Sequence, residues 1–217
     1  MRPGSTQEIY DKTICGVVLA GGKSRRMGEN KSLISLRGKP LIEHVTDVLS
    51  QIFSEIIIVC DAQSHTENRF AHLPFPILCD QREALGPIAG IETALKALQG
   101  KGIFVVAADM PFIKDTVIRE MCLHRTAYDL VIPKIGERLH PLHAFYSPQC
   151  LKPITTAIHS NQLALHPLSR VVRSYFFPEK CFRKFDPTLK SVFNINTPED
   201  LAKASALFRG RISKEGI

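Results

Sequence analysis

Apolar and polar positions along the chain fall into two alternating patterns. In "TICGVVLA" (13–20), "EIIIVC" (55–60), "PFPILC" (74–79) and "GIFVVAA" (102–108), apolar residues follow one another with almost no polar interruption. Strands buried on both faces lose the in–out alternation, so these runs predict a parallel sheet covered on both sides by helices. "PLIEHVTDVLSQIF" (40–53) instead sets Leu41, Ile42, Val45, Val48, Leu49 and Ile52 on one helical stripe, with Pro40 near its start. "GPIAGIETALKALQG" (86–100) repeats the pattern with Ile88, Ile91, Leu95 and Leu98, opened by Gly86-Pro87 and closed by Gly100. The second half is less regular. "YDLVIPK" and "LHPLHAFYS" read as strands, "PQCLKPITTAIHS" as a helix, and "KCFRKFD" and "SVFNIN" as short strands. "TPEDLAKASALF" is a final helix with Thr197 as N-cap, Pro198 at the first helical position and acids in the first turn.

The first dozen residues and the basic ending "RGRISKEGI" read as loose ends, with a flexible tail over 208–217. No repeat, low-complexity segment or linker divides the chain, so its 217 residues predict a single domain, Rossmann-like and α/β. An active cleft is expected between a nucleotide-binding half (about 14–112) and an acceptor-binding half (about 113–207).

In an open parallel sheet, ligands bind beyond the carboxyl ends of the strands. Here the first strand ends in "LAGG", the second and third in Asp61 and Asp80, and the fourth in "AADMP" with Asp109. A lone aspartate after a strand is commonly a turn or cap residue, whereas several at one rim beside a basic loop point to a metal and nucleotide site. The loop "LAGGKSRRMGENK" (19–31) matches neither a Walker P-loop nor GxGxxG. Gly21 and Gly22 permit backbone conformations that a Cβ would block, and exposed amides there are suited to phosphate oxygens. Arg25, Arg26 and Lys31 add positive charge beside them.

Charge strengthens that picture. The chain carries a net +7, and residues 1–40 hold eight Lys or Arg against three acids, a local excess of +5. Such concentration suits an anionic partner. Six cysteines are spread singly without a CxxC pair, which favours core or surface thiols over metal binding. His140 and His143 in "HPLH" lie three apart on a presumed strand and so face opposite sides, which favours a packed or substrate-facing histidine over a shared metal. No run approaches a membrane span and the N-terminus lacks a signal-like apolar core, so a cytoplasmic protein without a membrane partner is expected.

The loop together with "GPIAGIETAL", "AADMPF", "HPLHAFY" and "FNINTPEDLAKA", in that order over residues 14–205, resembles the MobA-type nucleotidyltransferases, the molybdenum cofactor guanylyltransferases. The resemblance implies a three-layer, glycosyltransferase A-like fold with a mostly parallel central sheet. It implies that Leu19, Ala20, Gly21 and Gly22 line a guanine nucleotide and that Lys31, with Arg26, supplies catalytic charge at the phosphates. Asp80 is then the nucleoside contact, Asp61 a base or ribose contact, and Asp109 the Mg²⁺ ligand and a catalytic group. Asn194 and Asn196 match positions near the pterin phosphate and metal, and Arg170 in "LSRVVRS" a pterin-site arginine. "ENK" puts Asn30 where relatives often carry an acid before the lysine.

The implied reaction takes GTP and molybdopterin, with partners among cofactor-biosynthesis and apo-enzyme proteins and no nucleic acid. The same fold also serves CTP-using and sugar-phosphate enzymes. "LAGG" rather than "LAAG" leaves room for a purine and favours GTP, and 217 residues is short for sugar enzymes with an added C-terminal domain. A basic nucleotide- or RNA-binding domain is the non-enzymatic alternative. It calls for aromatic stacking platforms, which a chain without Trp and with four Tyr supports thinly.

Overall fold

The computed structural model describes residues 12–21, 31–80, 82 and 85–212, with the side chains of 209–212 excepted. Gly22 and Arg26 of the glycine loop lie outside the described residues.

The continuous apolar runs form the strands expected of them. β1 spans Ile14–Leu19, and an antiparallel pair, β2 (Ser35–Leu36) and β3 (Lys39–Pro40), leads into helix α1 (Leu41–Leu49). β4 (Ile56–Asp61) is followed by the short α2 (Ala62–Thr66), then β5 (Ile77–Asp80), α3 (Pro87–Ala97) and β6 (Gly102–Ala107). α4 (Asp115–Cys122), β7 (Leu130–Ile135), β8 (Arg138–Leu139), β9 (His143–Tyr146) and α5 (Leu151–His159) come next. β10 (Ser174–Pro178), α6 (Glu179–Phe185) and α7 (Pro198–Ile212) complete the chain.

The main sheet runs β10-β7-β9-β6-β1-β4-β5, with β8 paired to β7. All neighbours on this path are parallel except those of β9, which runs antiparallel to both β6 and β7. Strand β1 shows why the runs carry no polar face. Ile14 and Val18 pack with α1, α4 and α6 on one side, while Cys15 and Val17 pack with α3 and α5 on the other. The result is a helix–sheet–helix sandwich with two apolar layers. A third cluster (Leu36, Leu41, Phe112, Ile195, Ala204) joins the β2–β3 turn to α7 and to the segment after β6.

Two expected strands are absent. "KCFRKFD" forms helix α6, because burying Phe182 while pairing Arg183 with Glu179 one turn away requires helical spacing. "SVFNIN" forms a 3₁₀ turn at Lys190–Val192 and then extended chain, its polar groups bonded to Asp186, Asp109 and Lys31 rather than to a strand. Strand β10 and helix α4 were not anticipated. The two histidines do not share a strand, since β9 begins at His143 and His140 precedes the turn before it, but of the expected alternatives His143 takes the packed one. His143 is fully buried, edge-on to Phe104 and Phe182 at centroid distances of 5.4 and 5.8 Å, and burial pushes it down to about 3. All six cysteines are free thiols. Among the described residues no helix is long and apolar enough to cross a membrane.

Candidate active site

The register of the sheet decides which side chains meet at its carboxyl-end rim. Asp61 pairs in register with Asp80 across β4 and β5, and Leu19 lies level with Val59 on one side and Ala107 on the other. The ends of β5, β4, β1 and β6 therefore stand side by side. They carry Asp80, Asp61, the turn Leu19–Ala20–Gly21, and Asp109.

The turn is tied down through its backbone. The Ala20 amide donates to the Val59 carbonyl at 2.8 Å, its carbonyl accepts from the Ser32 hydroxyl at 3.3 Å, and the Leu19 carbonyl accepts from the Ala108 amide at 3.0 Å. A Cβ at Gly21 would stand 3.1 Å from the Asp61 amide nitrogen. A methyl there presses on the end of β4 at Asp61. Gly86 opens α3 at φ +73°, a conformation that suits glycine, and Gly90 lets that helix approach Leu19 closely.

Asp109 is the centre of a polar cluster drawn from distant parts of the sequence. Asn194 Nδ2 donates to Asp109 Oδ1 at 3.0 Å, and Lys31 Nζ stands 3.9 Å from Asp109 Oδ2. Lys31 Nζ also donates to Asn196 Oδ1 at 2.7 Å, and the Ile195 amide donates to the Asp109 carbonyl at 3.0 Å. Burial raises the Asp109 carboxyl above its ordinary value, against the opposing pull of Lys31 and Asn194. A largely buried anion whose nearest cation among the described residues stands beyond close contact is a place where further positive charge is favourable.

The two other carboxylates at the rim have structural partners. Asp61 caps α2, accepting from the Ser64 amide at 2.8 Å and the Ser64 hydroxyl at 3.1 Å. Asp80 accepts the Arg82 amide at 3.0 Å, and burial raises its carboxyl. Arg170 is not brought to the cluster. It ends a 3₁₀ turn (His166–Arg170) that leads into the amino end of β10, the opposite end of the parallel strands from Asp109.

Some functional candidates escaped the sequence reading. Arg82 and Thr155 converge on the buried Glu92 behind Asp80, and Asp186 with Lys114 braces the segment that carries Asn194 and Asn196. The Glu92–Lys96 spacing within α3 was a visible helical pair. Nothing in the sequence joined either one to Thr155.

A mostly parallel α/β sheet whose rim gathers a glycine turn, a lysine and a largely buried aspartate is the arrangement of a nucleotidyltransferase. The chain belongs to the MobA-like NTP transferase domain family, which matches it over residues 16–175. It is 34% identical over 192 residues to a probable molybdenum cofactor guanylyltransferase of Pelotomaculum thermopropionicum, covering 88% of this chain and 92% of that one. It is 32% identical over 203 residues to a molybdenum cofactor guanylyltransferase of Desulfosudis oleivorans, covering 92% and 98%. The crystal structure of molybdopterin-guanine dinucleotide biosynthesis protein A from Archaeoglobus fulgidus superposes with a TM-score of 0.79 at 31% identity, covering 90% of this chain and 99% of that one.

Nucleotidyltransferases of this family use a divalent metal. The residues here fit one brought in with phosphates. Asp109 offers a hard oxygen in want of positive charge, and no group of three or more acidic, His or Cys ligands occurs among the described residues. A small divalent ion bound by one or two carboxylates, with substrate phosphates and water completing its shell, needs no more.

Proposed function

We propose that the protein transfers GMP from GTP to the terminal phosphate of molybdopterin, releasing pyrophosphate and forming the guanine dinucleotide form of the cofactor. One observation carries the reading: Lys31, Asp109, Asn194 and Asn196 form one hydrogen-bonded and ion-paired cluster at the mouth of the glycine turn. The coverage and identity of the relatives support the same substrates.

The residue types suit the chemistry. The nucleophile is a phosphate monoester whose second pKa of about 6 leaves it an anion near neutral pH, so no general base is required. A pterin phosphate oxygen bonds to the α-phosphorus of GTP as the bond from that phosphorus to the bridging oxygen breaks, and pyrophosphate leaves with the electron pair. The protein's task is to hold two polyanions in line and neutralise developing charge. Lys31, kept in place by Asn196, meets the phosphates. Asp109 would hold the metal, with Mg²⁺ the ion we assign, which would supply charge neutralisation for the phosphates. Arg26 adds cationic charge from the glycine loop. Leu19, Ala20 and Gly21 form the backbone floor of the nucleotide site, with Asp80 and Asp61 at its nucleoside side. Asn194 and Asn196 face the acceptor phosphate. The nucleotide then occupies the half of the molecule over residues 14–112 and the acceptor the half over 113–207.

Pyrophosphate release with Mg²⁺ and molybdopterin, offering GTP, CTP, ATP and UTP in turn, tests the reading. The expected result is release with GTP alone, reduced about 100-fold or more in Lys31→Ala, the scale of losing one charge-stabilising donor. Release with CTP alone would overturn the base assignment. No release with any of the four would overturn the acceptor.

A further inference from the structure

Glu92 sits in the second turn of α3 and is only 2% exposed, a carboxylate on a helix otherwise buried through apolar residues. Three donors from three parts of the chain converge on it. Thr155 Oγ1 of α5 donates at 2.7 Å, Lys96 Nζ lies at 2.8 Å, and Arg82 Nη1 of the turn after β5 lies at 3.2 Å. Burial works to raise the Glu92 carboxyl, but Lys96, Thr155 and Arg82 outweigh it and hold the group below its ordinary value, so it is ionised at neutral pH.

Arg82 is thereby fixed at both ends. Its amide is held by Asp80 Oδ1 at 3.0 Å and its guanidinium by Glu92. With a side chain 38% exposed, it is not held by burial. The bonds run without a break from the α3–α5 contact to the carboxylate on the nucleoside side of the rim. Thr155 and Lys96 both meet Glu92 Oε1, while Arg82 meets Oε2, and it is this arm that links the buried carboxylate to the rim. Fixing a turn beside a ligand site before the ligand arrives removes an ordering cost from binding.

We propose that Glu92 is a positioning residue for nucleotide binding, acting through Arg82 on the turn that carries Asp80. The proposal rests on the nucleotide site lying at that rim, as argued above. Glu92 touches neither substrate, and its effect falls on GTP and spares molybdopterin.

The test is a double-mutant cycle on the full chain with each substrate varied separately. Glu92→Gln and Arg82→Gln are each expected to raise KM for GTP about tenfold, the double variant no further, because contacts acting through one bond are not additive. kcat and KM for molybdopterin stay within about twofold, and Lys96→Ala leaves all of these parameters within the same range, because Glu92 keeps its bond to Arg82. A general loosening of the fold would not separate the substrates in this way. If Glu92→Gln fails to fold, Glu92→Asp takes its place in the cycle, keeping the charge but withdrawing the carboxylate from Arg82. It is expected to raise KM for GTP in the wild-type background and not in Arg82→Gln. An unchanged KM for GTP in Arg82→Gln, or additive effects in the double variant, overturns the proposal. Calorimetry of GTP binding to the same proteins separates the two readings. A wild-type chain that binds no GTP overturns both, whereas tight binding that the variants share overturns only the role of Glu92.

Discussion

Asp109 answers to two demands that conflict. Its carboxylate is raised above the ordinary range by burial, with Lys31 at 3.9 Å giving only partial relief. For an acid, a folded-state value above the unfolded one means that the fold prefers the protonated form, so ionisation near neutral pH costs stability. Asn is close in shape and its carbonyl can still accept from Asn194. In metal-free protein Asp109→Asn is therefore expected to raise Tm at pH 7, with the gain shrinking as pH falls into the carboxylate range. The same variant is expected to lower turnover by about 100-fold or more, because the oxygen proposed to hold the metal, which also balances Lys31, is gone. Thermal melts in chelator over a pH series, beside pyrophosphate release, check both halves. A variant no more stable than wild type at pH 7 would mean that Asp109 is not strained by its burial. Asp61 shows the opposite case: the sequence placed it at the same rim, but its carboxylate caps α2. Strand register made its position legible, and the competing use as a cap became visible only with Ser64 in place.

At the scale of elements, local chemistry was readable wherever it closed within a few residues. The last helix is the clearest instance. Thr197 Oγ1 accepts the Asp200 amide at 3.1 Å while Asp200 Oδ2 accepts the Thr197 and Asn196 amides at 3.1 and 3.0 Å, a reciprocal cap of the kind its sequence announces. α4 also carried a signal, since Val117, Ile118, Met121 and Cys122 recur at helical spacing and are buried. α6 was legible in principle, because Phe182 and Phe185, three apart, share a helix face and would point to opposite faces of a strand, but seven residues are a short run in which to see that period. β10 is a short strand at the sheet edge that ends in Pro178, and in "SVFNIN" the side chains of Asn194 and Asn196 find Asp109 and Lys31, 85 and 165 residues away. No local pattern could supply those partners. The cap at Thr197 also has a functional side, since Asp200 holds the Asn196 amide and Asn196 holds Lys31. Thr197→Ala is expected to cost about 1 kcal/mol of stability. Because it loosens the residue that steers Lys31, turnover should also fall a few-fold, with stability and rate recovering together in Thr197→Ser. Full activity in Thr197→Ala despite the lower stability would separate the cap from the lysine.

The whole molecule closes its site by bringing its two ends together. Lys31 and Asn196 meet although 165 residues separate them, and the cluster of Leu36, Leu41, Phe112, Ile195 and Ala204 packs the same two regions beneath that contact. Asp186 is the brace on the acceptor side. It is fully buried, accepts the Ser191 amide at 2.7 Å and the Thr188 hydroxyl at 3.2 Å, and pairs with Lys114 at 3.4 Å. Burial works to raise its carboxyl, but the Ser191 bonds and Lys114 prevail and hold it below the ordinary value. A depressed acid stabilises the fold above its unfolded pKa, and that stability is lost as pH falls through the folded pKa. Asp186→Asn is therefore expected to cost roughly 2–3 kcal/mol at pH 7, the worth of hydrogen bonds to a buried charge. For a chain of this size that is a fall in Tm of roughly 5–10 °C, narrowing toward zero as the wild type is acidified below the carboxylate range. Because Ser191 leads directly into the segment carrying Asn194 and Asn196, the variant should also raise KM for molybdopterin and leave KM for GTP unchanged. That is the reverse of the pattern expected from Arg82 and Glu92. If the two substrates' KM values move together in both sets of variants, the division into a nucleotide half and an acceptor half is wrong. If they move apart, each half of the sheet has its own buried carboxylate holding one substrate's loop in place.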